Sequence, residues 1–148
     1  MKVGAKNLDK FLQYLRSKQK AVETDTGKAL AKCCAVIQRE AMESMTNTEI
    51  DASKSYYTHN KRIPHNPSIA GNPPAVDTGT LRRSITYTVD EKNKVGKVGS
   101  VLNNPPYGAY LELEFGTSKM QPRPWLKPAL DNTEEDIKEI IRGVLKND

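Results

Sequence analysis

Read from its amino end, the chain first shows a helical period: Leu8, Phe11, Leu12 and Leu15 recur at steps of three and four, the spacing that lines one face of an α-helix. Asn7 stands in a capping position before them and the polar stretch Arg16 to Lys20 follows. This reads as an amphipathic arm or a first short helical segment. From Thr26 to Met45 the period returns, with Leu30, Cys34, Ile37, Ala41 and Met45 at steps of four, three, four and four and Lys28, Lys32, Arg39, Glu40 and Glu43 mainly off that stripe. The pattern predicts a long helix, with Gly27 near its start, where glycine costs little, and no proline before Thr46.

Between Asn47 and Asp77 the periodicity collapses into Ser, Thr, Asn, His, Gly and four of the nine prolines, and nothing in that stretch offers a face to bury. A long extended loop is expected, with Tyr56, Tyr57, Lys61, Arg62 and His65 as aromatic and basic anchors for a neighbour or for nucleic acid; a floppy insertion is the alternative. The period then changes to two. Ile85, Tyr87 and Val89 alternate with Thr86, Thr88 and Asp90, a turn follows at Asp90 to Asn93, and a second strand is expected around Val95 to Val101, together a β-hairpin. Tyr107 to Phe115 reads as one or two helical turns, because Tyr107, Tyr110, Leu111 and Glu114 share a face. Pro122, Pro124 and Pro128 leave only extended or turn geometry until a last helix near Asn132 to Leu145. That helix is capped by Asn132 or Thr133, with Ile137, Ile140, Ile141 and Val144 as its buried stripe.

The fold class is therefore α+β: a long N-terminal helix and a C-terminal helix packed on a small antiparallel sheet, with a long extended loop. At 148 residues one domain spanning 1–148 is expected, with residues 1–22 as a basic arm or helix and residues 47–77 as the loop. Apolar residues make up only 36% of the chain and the mean hydropathy is -0.67, a balance that excludes a membrane-spanning bundle and locates the polar excess in the arm and the loop. The formal charge is +5, unevenly spread. Residues 1–22 carry six Lys and Arg against Asp9 alone, a net +5, whereas residues 131–148 carry three basic against six acidic side chains, a net -3. Opposite ends of opposite sign suit head-to-tail contact between copies, and solvated helix faces give the same arithmetic. The first 15 residues contain no apolar run of signal-peptide length, so synthesis and retention in a cytoplasm-like space are expected. Cys33 and Cys34 are adjacent in a helix, where neighbouring side chains diverge, and read as small buried apolar residues.

Catalytic chemistry finds no foothold. The only imidazoles, His59 and His65, sit in the least regular stretch, and with Asp51 or Asp77 they match no metal-ligand framework. Ser84 lacks the flanking glycines of a nucleophile elbow, no Gly-rich phosphate loop is present, and Glu112 and Glu114 lie on different faces of a helix. The protein is expected not to be an enzyme and to need no cofactor or metal. Nucleic-acid binding has a weak basis in Arg82, Arg83, Lys92, Lys94 and Lys97 around the hairpin; lysines that discourage edge-to-edge strand pairing explain them equally well.

Two stretches carry a more specific signal. The first is Pro73-Pro74-Ala75-Val76-Asp77-Thr78-Gly79-Thr80-Leu81-Arg82-Arg83-Ser84-Ile85. The second runs from Tyr107-Gly108-Ala109-Tyr110-Leu111-Glu112-Leu113-Glu114-Phe115-Gly116-Thr117 through Arg123-Pro124-Trp125-Leu126-Lys127-Pro128-Ala129. Their order and spacing resemble the gene-ten-like neck or tail-completion proteins of long-tailed phages, in which a Thr-Gly-x-Leu-Arg-x-Ser-Ile element precedes a hairpin. A Tyr-Ala-x-x-x-Glu-x-Gly-Thr element there leads into Arg-Pro-Phe-Leu-x-Pro-Ala. Gly108 before Ala109 and Trp125 in place of the common Phe are departures.

The resemblance implies a structural virion protein, made in the host cytoplasm and placed in the neck between head and tail. It would form a homo-oligomeric ring, hexameric by that likeness, that joins the head connector or adaptor proteins to the tail terminator or tube. Genome DNA would pass through the channel without sequence-specific contact, and no membrane is involved. In physical terms, Asp77 and Thr78 cap the turn that Gly79 permits, and Leu81 and Ile85 enter the core. Arg82 or Arg83 meets Glu112 or Glu114 across adjacent copies, while Thr117, Arg123 and Trp125 form a rigid edge with an aromatic anchor. With Tyr56, Tyr57 and Arg62 these are the candidate interface residues. The alternatives are an Arg82–Glu114 pair within one subunit with Trp125 in the core, and, for the whole chain, a basic nucleic-acid-binding accessory protein.

Overall fold

The computed structural model describes residues 5–56, 64–102 and 113–146. One helix, α1, runs unbroken over Ala5–Thr46, where the sequence pattern suggested an arm and a separate helix. The two apolar stripes are joined because nothing between Leu15 and Thr26 breaks a helix. Gln19 bonds Glu23 one turn on at 3.1 Å, and the hydroxyls of Ser17, Thr24 and Thr26 donate back to the carbonyls of Tyr14, Lys20 and Val22 rather than opening a new cap. Asn7 accordingly falls within the helix and not ahead of it.

Gly79, at φ 76°, turns the chain into a short helix α2, Thr80–Ser84, the left-handed bend that the Thr-Gly pair forecast. The hairpin follows as β1, Ile85–Asp90, and β2, Val95–Ser100, antiparallel, with Ile85 opposite Ser100 and Asp90 opposite Val95. The Asp90 carboxylate closes its turn by accepting from the Asn93 amide at 3.0 Å and side chain at 2.7 Å, which holds that carboxyl below its usual range. The hairpin lies on α1 so closely that a Cβ on Gly96 would collide with the Cys34 Sγ. Both cysteines are buried and free, and burial raises both thiols.

The carboxy-terminal part corrects the sequence reading. Instead of extended chain up to a single last helix, two helices form, α3 over Leu126–Asn132 and α4 over Glu134–Lys146. Thr133 stands at the junction, the C-cap of α3, and its carbonyl accepts from the Ile137 amide of α4 at 3.0 Å. It is buried, and its hydroxyl donates backward to the carbonyls of Ala129 and Leu130. The core gathers between these layers: Ala41, Met45, Ile85, Trp125 and Ala129 are 0–3% exposed, with Ile37, Met42, Leu81, Val98 and Leu126 packed around them.

The loop is also more ordered than its composition implied. It doubles back on itself through antiparallel bridges Ile50–Ser68 and Tyr56–His65, and the Gly71 amide bonds the Pro122 carbonyl at 3.0 Å. Ser68 and Pro74 are buried. Among the described residues, no helix is long and apolar enough to cross a membrane.

Candidate functional site

Within the second motif stretch a single carboxylate joins the two halves. A helix leaves its first amides without intrahelical acceptors. At the start of α3, Glu114 supplies one from across the turn: its Oε2 accepts from the amides of Trp125 at 2.8 Å and Leu126 at 3.0 Å, and its Oε1 from Lys127 at 2.9 Å. The next residue is Pro128, which has no amide to satisfy. Three donors and a proline thus match one carboxylate, with negative charge at the positive end of the helix dipole. This is why a proline-rich stretch folds as a helix.

The chain between Glu114 and Trp125 is shaped to make that approach possible. Gly116 sits at φ 75°, where a Cβ would lie 2.8 Å from the Met120 carbonyl oxygen, so only glycine fits. Thr117 closes the turn, its amide donating to the Met120 carbonyl at 2.8 Å while its hydroxyl accepts from the amides of Lys119 and Met120. The returning strand then places the Arg123 amide on the Leu113 carbonyl. The Arg123 guanidinium reaches the 47–77 loop, where its Nε bonds the buried Ser68 hydroxyl at 3.0 Å and Nε and Nη2 its carbonyl at 3.3 and 3.1 Å. One turn therefore caps α3 with its first residue and pins the loop with its last.

Trp125 is 2% exposed and belongs to the subunit core. Its indole Nε1 is buried and has no hydrogen-bond partner among the described residues, so the position uses the ring's volume and not its donor, consistent with the Phe common there in the resembled motif. Arg82 does not meet Glu114. Its Nε donates at 3.3 Å to the Met42 carbonyl in the last turns of α1, where a cation complements the dipole. Arg83 is exposed and folds its guanidinium over Gly79. Tyr56, 45% exposed, stacks edge-on against His65 with ring centres 5.1 Å apart. Tyr57, Arg62, Glu112 and the stretch from 103 to 112 lie outside the described residues.

The structure brings Tyr56, Arg82 and Arg123 together on one cleft of about 400 Å³, beside His65, Asp77 and Thr78. His65 Nδ1 is 4.0 Å from Asp77 Oδ1. Among the described residues no three His, Cys, Asp or Glu converge as metal ligands.

A second surface escaped the sequence reading. An apolar groove of about 470 Å³ opens between the hairpin, α1 and α3, lined by Ile37, Val98, Phe115, Leu126 and Leu130, with Trp125 at its floor. Phe115 is 76% and Leu130 48% exposed. The only signal in the sequence was a Phe at the unconstrained position of the Glu-x-Gly-Thr element, and no periodicity points to it. A third surface is the first half of α1, whose residues 8–25 are all exposed, including Leu8, Phe11, Leu12, Leu15 and Val22.

Comparison with known proteins gives one result. A family model described as "Bacteriophage HK97-gp10, putative tail-component" matches residues 9–116. No curated protein and no solved structure matches the chain.

Proposed function

The chain belongs to the HK97-gp10-like family of bacteriophage tail components, and from that premise we propose that it is a ring-forming structural protein of the neck, joining the head connector to the tail. As a tail component it resides in the virion and contacts other virion proteins. The neck position, the ring and the passage of genome DNA through it are the further content of this proposal. The observation that supports it is the apolar surface left outside the fold: an amphipathic half-helix and, elsewhere on the chain, an apolar groove. Contiguous exposed apolar surface of this kind marks protein–protein contact. Two different patches favour a heterologous interface, which closes into a ring when repeated by rotation.

The proposal is tested in the phage itself. Without this protein, lysates should contain filled heads and separate tails, and purified chain added back should restore joined particles. Joined, infectious virions assembled in its absence would overturn it, as would electron density placing the protein at the distal tail tip.

A further inference from the structure

Resting on that ring reading, we infer that the exposed first half of α1 from one copy docks into the Phe115–Leu130 groove of the next. At about 100° per residue, Leu8, Phe11, Leu12, Leu15 and Val22 fall within one stripe roughly a third of the helix circumference wide. The same stripe continues into Ala29, Cys33 and Ile37, which face the subunit's own core. The face that is buried in one half of α1 therefore runs on uncovered in the other. Phe11 is 55% and Leu8 57% exposed, and the hairpin ends beneath this stretch: the Lys94 ammonium reaches the Glu23 carbonyl at 3.4 Å.

An isolated amphipathic helical stretch gains most of its stability from packing its apolar face, so a cover is required. The chain's own groove cannot provide it. The groove is walled by Cys34 and Ile37 of the same continuous helix, and Leu12 stands about 38 Å from Ile37 along a straight α-helix. A second copy has no such restriction. Charge points to the same occupant. The segment bearing the stripe is net +5 over residues 1–22, while the helix that follows the groove wall after one residue lies in a segment of net -3 over residues 131–148. Glu134, Glu135, Asp136 and Glu139 are exposed on that helix. The arm's apolar stripe meets an apolar groove, and its basic charge is opposite in sign to that of the carboxy-terminal segment that follows the groove wall in sequence.

Three forms of the full-length chain test this by sedimentation velocity: wild type, an arm variant Leu12→Glu with Leu15→Glu, and a groove variant Phe115→Glu with Leu130→Glu. All four altered positions are outside the buried core, and far-ultraviolet dichroism with Trp125 emission checks that each variant is folded. Wild type should form a multimer that shifts toward monomer as salt is raised, and both variants should sediment as monomer. Mixing Leu12→Cys chain with Leu130→Cys chain under oxidising conditions should give a covalent dimer that neither gives alone.

Variants that sediment as the wild-type multimer, with no mixed disulfide, would overturn the docking and leave the ring to another interface. A wild type that stays monomeric alone and with its neck partners would overturn both. Loss of binding to anionic vesicles by the arm variant, with assembly unchanged, would assign the stripe to a membrane and overturn it too. A mixed disulfide from a protein absent from the neck would uphold the docking and refute the neck placement.

Discussion

Replacing Glu114 by Ala removes the acceptor of three consecutive amides and tests whether one carboxylate builds α3. The Lys127 amide is exposed and can turn to water, so its loss is small. The amides of Trp125 and Leu126 are partly buried, and a hydrogen bond to a charged group contributes about 1.5–3 kcal/mol. Two such bonds at the lower figure place the destabilisation near 3 kcal/mol, a large part of the ~5–15 kcal/mol by which a domain of this kind is stable. Glu114→Gln keeps the shape and one acceptor oxygen but loses the charge and presents an NH2 to the other amides; about half of that loss is expected, roughly 1.5 kcal/mol.

Trp125 is the only tryptophan and begins α3, so its emission reports the cap directly. In urea the midpoint should fall by roughly 1–3 M for the Ala variant, at unchanged slope, given slopes of about 1–3 kcal/mol/M. An Ala variant within about 0.5 kcal/mol of wild type, or one no worse than Gln, would refute the capping account.

Three other outcomes follow from the structure. Gly96→Ala should cost about 1–3 kcal/mol because its Cβ meets the Cys34 Sγ. Adding Cys34→Ala should recover most of that loss, and a strictly additive double-mutant cycle would show that the two do not touch. Arg123→Ala should leave the core intact, with Trp125 emission unmoved, but raise amide exchange at Asp51, Tyr56, His65 and Ile69 at least tenfold, since each residue's amide belongs to the loop that Arg123 pins through Ser68; unchanged exchange there would remove Arg123 from that role. Asp51 is held at about 2, chiefly by the Ser53 hydroxyl and then by Lys54. Its folded value lies below its unfolded one, so its contribution is complete above pH ~4 and fades as pH falls toward ~2. A carboxyl titration by NMR should show that low midpoint, and Asp51→Asn should abolish the acid loss of protection at Ser53 and Lys54; a midpoint near 4 would contradict it.

What the sequence determined was everything that depends on near neighbours. The 3.6-residue stripe of α1, the alternation Ile85–Tyr87–Val89, the acidic first turn of α4 and the glycines at 79 and 116 are local signals, and the structure places helix, hairpin and turns where they pointed. The α+β class follows from them. Family membership was legible for a related reason: each of its two motifs is a short run of residues at fixed spacing. What only the tertiary structure decided depends on partners distant in sequence. Pro122 to Pro128 looked incapable of helix because the acceptor for α3 is Glu114, 11 positions before Trp125. The loop looked unanchored because the donor to Ser68 is Arg123, 55 positions away. Arg82 looked free to meet a carboxylate because nothing local shows that the end of α1 lies beside it. Likewise, the apolar stripe of residues 8–22 was visible as a pattern, but a pattern does not state whether its face is covered. Burial is a property of the whole packed chain, and here packing stops at Thr26 and leaves the rest of the stripe exposed.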